Sequence, residues 1–372
     1  MKTYSSKLLI LFSSVAALTF FACNDKKTDP LQEALNKLQA SHWMSYSEEA
    51  YYPIPDTELV DTLNFEVEIV NGIDDSLGYN YIMKAGDGDY IFQENKLRVI
   101  NHKNRLTRIF LPDHFEEKKD FKKIVEQYSR IKYSPQTLLK KAWYYKADTI
   151  IDNSKLYNYS KIDREGIHEG QKFRVEHHIF INSKTALLER FERRYYVDGN
   201  LNQCVVNRYL NFKLSQNPVT LAYNFPTYTS VYDPEKKQEG LKVGEQAPPI
   251  SGVDLDGNAI NLKDFRGEKV LLNFSVIGCG ACKMALDHIN KADYRFTEKV
   301  KVLYINPEDN ENRMKKFMER FPIPFPIIAG ASEIGDKYRV SGYPSYFLID
   351  EEGRIDQIKI GYSEEFIDEF RQ

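Results

Sequence analysis

The stretch V-L-L-N-F-S-V-I-G-C-G-A-C, residues 270–282, decides how the second half of the chain folds. Its first half is a nearly continuous apolar run, typical of a parallel strand that is covered on both faces. Its second half ends in Cys279 and Cys282, and helical spacing of apolar residues follows at Ala285, Ile289, Ala292 and Phe296. The free N–H groups and the positive dipole at a helix N-terminus stabilise an anion such as a thiolate. The sequence therefore predicts a reactive cysteine pair where a buried strand gives way to a helix.

The residues around this stretch predict an α/β unit. The expected strands are 300–305, 325–328, 346–349 and 355–360, with a tight turn at 256–257. The expected helices are 314–321, 334–340 with Ser332 as N-cap, and 366–370. Cys279 precedes its helix, so we expect it to be the exposed nucleophile with a lowered pKa. Cys282, one turn inside, is expected to be the buried resolving thiol.

Several motifs together resemble the thioredoxin family, and within it the membrane-tethered TlpA/ResA-like branch. The matching segments are G-E-Q-A-P at 244–248, D-L-D-G at 254–257, L-K-D-F-R-G at 262–267, L-L-N-F at 271–274, the C-x-x-C pair and G-Y-P-S-Y-F-L-I-D at 342–350. The resemblance covers about residues 241–372. It implies a thioredoxin fold and a cis peptide bond before Pro344. It also implies a substrate-binding loop in which the Tyr343 backbone pairs with an extended substrate segment beside Gly278.

Several positions depart from the family pattern. Gly278 stands where the family usually has Trp, and this loss of an apolar platform predicts a more open site. Residues 280–281 are Gly-Ala, without the common Pro. Asn273 occupies one buried-acid position, as is usual in this branch, and Ala285 occupies the other, where Glu is expected. Proton transfer would then use water or another acid, such as Asp287. We expect slower turnover, or a narrower range of partners, than in a relative that has these residues.

Other uses of the cysteine pair fit the sequence less well. A structural zinc site needs four ligands, and only His288 lies near Cys279 and Cys282 in the sequence. A structural disulfide that closes a four-residue loop gains little stability. A peroxiredoxin-type site would need a Thr-x-x-Cys motif, and this chain has V-I-G-C at 276–279. A redox-active dithiol is the interpretation that remains, and it calls for no metal and no cofactor.

The first 22 residues are expected to be an export signal that is not part of the fold. Lys2 and Lys7 precede an apolar stretch, residues 8–22, that is too short to span a bilayer comfortably. The segment F-F-A-C at 20–23 resembles a bacterial lipobox, with Phe at two positions that usually differ, and predicts lipidation of Cys23. Ordinary cleavage with an incidental Cys23 is the alternative. Four cysteines in an exported chain argue for one working dithiol rather than a disulfide scaffold.

Residues 42–232 are expected to form a β-rich domain. Two-residue alternation of apolar and polar side chains dominates from 63 to 212, with turn signals between the runs. Helices are expected at 31–38, at 121–131 and after Ser134-Pro135, which suit an N-cap and a first helical position. The order of strands, helical insertion and further strands resembles the LolA-like lipoprotein carriers. Their fold is a curved, incomplete barrel that helices close around an apolar cavity.

Three residues of this domain could suggest further chemistry. His177 and His178 are adjacent on a predicted strand and point to opposite faces, so we expect structural roles rather than a shared metal ion. Cys204 lies in an alternating strand, where a small buried hydrophobic residue is expected. Pairing of Cys204 with a cysteine of the redox unit is the alternative.

The predicted organisation is an α+β domain, with an antiparallel sheet or partial barrel, followed by an α/β thioredoxin-like domain. Its segments are a signal peptide at 1–22, a tether and short helix at 23–41, the β-rich domain at 42–232, a linker at 233–243 and the thioredoxin-like domain at 244–372. A net charge of −3 gives no reason to expect nucleic acid as a partner.

The predicted function is a lipid-anchored thiol-disulfide oxidoreductase of the cell envelope, and by resemblance a reductase. Cys279 and Cys282 would exchange disulfides with protein partners, and the upstream redox partner is not identified. Cys23 would attach the protein to the membrane, with the periplasmic face expected and the outer membrane or the cell surface as alternatives. The alternative function is a lipid- or partner-binding lipoprotein whose thioredoxin-like domain is weak in redox chemistry.

Overall fold

A computed structural model describes residues 29–73, 76–103, 105–115, 117–168, 170–227, 230–231 and 240–372. The predicted signal peptide, Cys23 and most of the predicted linker lie outside these residues. Among the helices that are described, none is both long and apolar enough to cross a membrane.

The N-terminal region is built on one large sheet with helices. Its helices are α1 (Pro30–Gln39), α2 (Lys118–Tyr128) and α3 (Pro135–Leu139). Its strands are β1 (Trp43–Pro53), β2 (Val60–Asn71), β3 (Tyr79–Ala85), β4 (Gly88–Gln93), β5 (Lys96–Asn101), β6 (Leu106–Phe110), β7 (Tyr144–Ile151), β8 (Ser154–His168), β9 (Gln171–Asn182), β10 (Leu188–Val197), β11 (Asn200–Ser215) and β12 (Ser230–Val231).

Neighbouring strands of this sheet are consecutive in the chain, except where β12 pairs with β6 and where β1 pairs with β11. The strand order is β12-β6-β5-β4-β3-β2-β1-β11-β10-β9-β8-β7, and every pairing is antiparallel except that of β12 with β6. The pairing of β1 with β11 joins the two halves and matches Ala50 with Asn207. The antiparallel sheet with helices that the sequence predicted is therefore confirmed. The resemblance to LolA-like carriers stays a prediction.

The helices cover one face of the sheet and bury its main core. Helix α1 contributes Ala34 and Leu38, and the other two helices contribute Phe121, Val125, Leu138 and Leu139. The helix starts follow capping rules, since the side chain of Ser134 accepts a hydrogen bond from the Thr137 N–H and Pro135 is the first residue of α3. All three predicted helices are confirmed.

Strands β1, β7 and β8 lack a clean alternation of apolar and polar residues in the sequence. In β1 the inward positions include Glu48, which is fully buried and breaks the apolar pattern. Strand β7 is an edge strand with most side chains exposed, including Tyr144 and Ile150, so it has no buried face to impose an alternation. Strand β8 carries a polar stretch from Lys161 to Glu165 with the same effect.

The C-terminal part has the mixed sheet of a thioredoxin fold. Its strands are β13 (Ser251–Val253), β14 (Ala259–Asn261), β15 (Lys269–Phe274), β16 (Val300–Ile305), β17 (Ile327–Ile328), β18 (Ser345–Ile349) and β19 (Ile355–Ile360). Its helices are α4 (Gly280–Ile289), α5 (Glu311–Met318), α6 (Ser332–Lys337) and α7 (Glu364–Asp368). The sheet order is β17-β16-β15-β18-β19, with β15, β16 and β17 parallel and the other pairings antiparallel.

Strand β15 is central and buried on both faces, as predicted. Val270, Leu272 and Phe274 pack into one core with α6, while Leu271 packs into another with α4 and α7.

The predicted ends of the helices were less accurate. Helix α4 stops at Ile289, so Ala292 and Phe296 lie beyond it, and Val340, Phe321 and Phe370 also fall outside their helices. Ser332 is the first residue of α6 rather than its N-cap, which is Ala331.

Candidate redox site

The cysteine pair lies between the end of β15 and the start of α4. Cys279 is the N-cap of α4, and the N–H of Cys282 donates a hydrogen bond to Cys279 Sγ over 3.1 Å. The two residues form a disulfide with their Cα atoms 5.2 Å apart. Cys279 is half-buried and Cys282 is only 6% exposed. In the reduced form, the N–H and the helix dipole would stabilise a thiolate on Cys279 more than on Cys282.

A loop before β18 faces the disulfide from the other side. The Tyr343–Pro344 peptide bond is cis, as the family resemblance implied. The carbonyl oxygen of Tyr343 lies 3.6 Å from Cys279 Sγ. The Pro344 carbonyl accepts a hydrogen bond of 2.8 Å from the Gly361 N–H, which ties the loop to the end of β19. The structure thus brings Cys279, Tyr343 and Pro344 together, and their role in binding substrate stays a prediction.

A carboxylate network supports the backbone of the cysteine loop. The N–H of Ile277 donates to Asp309 Oδ2 over 2.9 Å, and the side-chain amide of Asn306 donates to the same oxygen over 2.9 Å. Arg313 Nε lies 2.6 Å from the other oxygen of Asp309. Sequence reasoning missed these residues, because they follow β16 and begin α5 without a recognisable motif.

A small cavity lies behind Cys282. Its lining includes Cys282, Asn273, Ala285, Tyr304 and Tyr346, and its volume of about 10 Å³ has room for about one water molecule. The hydroxyl of Tyr346 is buried and has no hydrogen-bond partner in the part of the chain that the structure describes. Burial raises the pKa values of Tyr346 and Tyr304, so both are neutral phenols at physiological pH.

The structure places Asp287 away from this cavity. Asp287 is exposed, and its carboxylate accepts a hydrogen bond of 2.7 Å from Lys283 Nζ on the outer face of α4. His288 is buried with its Nε2 atom 2.9 Å from Asp368 Oδ1, so it links α4 to α7. The predicted proton relay through Asp287 has no supporting geometry behind Cys282.

Gly278 is contacted by the N-terminal sheet. We call residues 54–61, which comprise the connection between β1 and β2 and the first two residues of β2, the hairpin tip. A Cβ atom on Gly278 would lie 3.3 Å from Asp61 Oδ2 and 3.3 Å from Ile54 Cδ1. Another part of the chain therefore comes to the position where the family has Trp, although Gly278 itself remains exposed. That loss of the Trp opens the site stays a prediction. No local sequence signal could have shown a contact between residues so far apart.

The adjacent residues His177 and His178, and the free thiol of Cys204, lie outside the redox site in structural surroundings. His178 is fully buried, with ring nitrogens 3.2 Å from Asn158 Oδ1 and 3.1 Å from Glu176 Oε2. The ring of His177 packs edge-on against Phe191, with centroids 5.2 Å apart. Cys204 is a free, half-buried thiol, and burial raises its pKa to about 11. Among the described residues, no cluster of three or more His, Cys, Asp or Glu side chains could hold a metal ion.

Comparison with known proteins assigns the C-terminal part to a family. A model described as the AhpC/TSA family matches residues 243–358. The thioredoxin-like protein YneN of Bacillus subtilis is 33% identical over 129 residues, which are 34% of this chain and 76% of YneN. The chain belongs to the AhpC/TSA family. Its thioredoxin-like domain is that of a thiol-disulfide oxidoreductase, as the sequence predicted.

A further relative and a solved structure are similar to the same part of the chain. The thiol-disulfide oxidoreductase ResA of Bacillus cereus is 32% identical over 152 residues, 40% of this chain and 86% of ResA. Among solved structures, the thioredoxin domain of a thiol-disulfide oxidoreductase of Bacteroides vulgatus is 24% identical, with a TM-score of 0.30, covering 36% of this chain and 99% of that one.

Proposed function

We propose that the chain is a lipid-anchored thiol-disulfide oxidoreductase of the cell envelope that reduces disulfides of partner proteins. The observation that carries the proposal is the position of Cys279 at the N-cap of α4, where its sulfur accepts the Cys282 N–H over 3.1 Å. This arrangement lowers the free energy of a thiolate on Cys279, because the thiolate is the better acceptor. The names of the AhpC/TSA relatives also support it.

The proposed reaction consists of two exchanges. The Cys279 thiolate attacks a partner disulfide, forming a mixed disulfide and releasing one partner thiolate. Cys282 then loses its proton and attacks the Cys279 sulfur, which releases the second partner thiolate and leaves Cys279 and Cys282 oxidised. The partner gains two electrons, and an upstream thiol reductant would restore the pair. The backbone at Tyr343 would hold the partner segment beside Cys279 during both steps.

A trapping experiment tests this function. Cys282→Ser removes the resolving thiol, so a mixed disulfide between Cys279 and the partner should accumulate and be released by dithiothreitol. Cys279→Ser is the matched control and should trap no partner, with Cys204→Ser in both backgrounds to remove the free thiol. Absence of trapped partners with Cys282→Ser would contradict the proposal and favour a lipoprotein whose thioredoxin-like domain is weak in redox chemistry.

The anchor and the location form the second half of the proposal. The charged start, the apolar stretch and Cys23 in residues 1–23 support export and lipidation, with the periplasmic face of the envelope as the site of action. Cys23→Ser should move the protein from the membrane fraction to the soluble fraction. Mass spectrometry of the N-terminal peptide would show whether Cys23 carries a lipid. An unmodified Cys23 in membrane-bound protein would contradict this half alone.

The division of labour between the two parts is also a proposal. We assign partner recognition to the β-rich domain, residues 42–232, and disulfide exchange to residues 244–372, with 233–243 as the linker. The contact between the hairpin tip and Gly278 supports this assignment, because it places the β-rich part beside the reacting sulfur.

A further inference from the structure

The hairpin tip is fixed within itself and to the sheet. The N–H of Ile54 donates to the Leu59 carbonyl over 2.8 Å, and the Thr57 hydroxyl donates to the Ile54 carbonyl over 2.9 Å. The side-chain amide of Gln203 in β11 donates to the Pro53 carbonyl over 2.7 Å, which holds the base of the tip. The tip is therefore a defined structure rather than a free loop.

Apolar contacts join the hairpin tip to the thioredoxin-like domain. Ile54 is 8% exposed and Leu59 is half-buried, and both belong to one cluster with Ile277, Met314 and Phe317. Full burial of a side chain such as Ile54 contributes about 1.5–3 kcal/mol. Ile277 stands two residues before Cys279, so this cluster reaches the redox loop itself.

An ion-pair chain runs in parallel with the apolar contacts. Arg313 in α5 pairs with Asp61 of the hairpin tip and also with Asp309. Asp309 in turn accepts the hydrogen bond from the Ile277 N–H. The side chains of Arg313 and Asp309 are 23% and 11% exposed, so water screens this pair less than a surface pair, whereas Asp61 is 39% exposed. The hairpin tip thus contacts the redox loop both through side-chain packing and through charge.

A cleft remains between the two parts of the chain, next to the cysteine pair. Its volume is about 550 Å³, within the range of sites that bind small ligands or short segments. One wall contains Pro55 of the hairpin tip with Tyr195 and Asn202 of the sheet, and the other contains Gly280 and Met284 of α4. Met284 is 44% exposed, an apolar side chain without cover in the cleft.

We propose that the hairpin tip selects the substrates of the redox site, admitting an extended, unfolded segment that carries the target cysteine and excluding disulfides on folded protein surfaces. The inference rests on the proposed function. The hairpin tip lies beside Gly278, so a broad protein surface that approached Cys279 from this flank would meet the tip. A single extended chain fits the cleft, where the Asn202 amide offers hydrogen bonds to a peptide backbone and Met284 offers apolar contact. The cleft is also lined by charged side chains of both signs, so a bound segment would meet both: Asp56, Asp287, Glu364, Lys283 and Lys291.

The test compares three disulfides with the full chain in the reduced state. The probes are bis(2-hydroxyethyl) disulfide, a disulfide-linked dimer of a short unstructured peptide, and a folded protein with one exposed disulfide. The double variant Ile54→Ala/Asp61→Ala releases the hairpin tip. We expect the kcat/KM ratio of folded protein to small disulfide to rise about tenfold. Met284→Trp fills the cleft and should lower the ratio of peptide to small disulfide about tenfold.

Ile150→Trp is the matched control, since it adds the same bulk at an exposed position of β7 remote from the site, and it should leave both ratios unchanged. Unchanged ratios in the released-tip variant and in Met284→Trp would overturn substrate selection by the hairpin tip. Failure of the wild-type chain to reduce even the small disulfide would instead contradict the proposed function.

Discussion

Gly278→Ala tests the contact between the hairpin tip and the redox loop at a single atom. Gly278 has a φ of +81°, a left-handed conformation that costs a residue with a Cβ about 1–2 kcal/mol. The added Cβ would also lie 3.3 Å from both Asp61 Oδ2 and Ile54 Cδ1, so these neighbours must move. Such over-packing costs about 1–3 kcal/mol. We therefore expect a loss of about 2–5 kcal/mol in the free energy of unfolding of the thioredoxin-like domain.

Gly361→Ala is the matched control for the backbone cost. Gly361 has a φ of +87°, and its Cβ would meet no described atom within 4 Å, so we expect a loss of only about 1–2 kcal/mol. Urea unfolding followed by circular dichroism measures both variants. Trp43 and Trp143, which belong to the N-terminal region, report by fluorescence on that part separately. Equal losses in the free energy of unfolding of the two variants would refute the contact. Additive effects of Gly278→Ala and Ile54→Ala in a double-mutant cycle would also refute it.

Three further predictions concern buried polar groups. Tyr346→Phe removes a hydroxyl without a described partner and should stabilise the chain by about 1 kcal/mol, as measured by urea unfolding; a loss would instead show a bound water in the cavity. Arg130→Ala leaves the fully buried Glu48 without its partner 2.8 Å away and should cost about 3–5 kcal/mol in the same measurement, whereas loss of an exposed pair costs at most about 1 kcal/mol. Burial lowers the pKa of His177 to about 4, below its value of about 6.5 in the unfolded chain. Because the unfolded chain binds the proton first, stability should fall as the pH drops from about 6.5 to about 4, by about 2 kcal/mol at pH 5. Fluorescence-monitored unfolding at pH 7 and pH 5 should show this loss in the wild type and a smaller one in His177→Gln.

The sequence predicted the redox site wherever the signal was local. The apolar run of β15 required burial on both faces, and the change to helical spacing after Cys282 placed Cys279 at a helix start. Pro344 could be placed beside the cysteines only through the family resemblance, because 64 residues separate Tyr343 from Cys279.

What the sequence did not predict depends on contacts between distant segments. Ile54 and Leu59 look like ordinary loop residues until the cysteine loop and α5 are brought against them. The charge of Glu48 argued against a buried strand at this point in the sequence. In the structure its carboxylate accepts hydrogen bonds from Arg130 and Asn207, which lie 82 and 159 residues away. Gly278 in place of the family's Trp predicted an empty space beside Cys279. In the structure, Ile54 and Asp61 of the N-terminal region lie next to this position.

The pairing of β1 with β11 has a consequence for the order in which the protein matures. Residues of these strands, such as Glu48 and Asn207, lie 159 positions apart, so closing the sheet costs more chain entropy than forming its hairpins and should be the slowest pairing. Both strands nevertheless precede Cys279, and synthesis runs from the N-terminus. The segments that form the surface facing the redox loop are therefore all synthesised before the two thiols. Where the N-terminal sheet folds first, the newly made dithiol meets the hairpin tip at once and is less exposed to other folding chains.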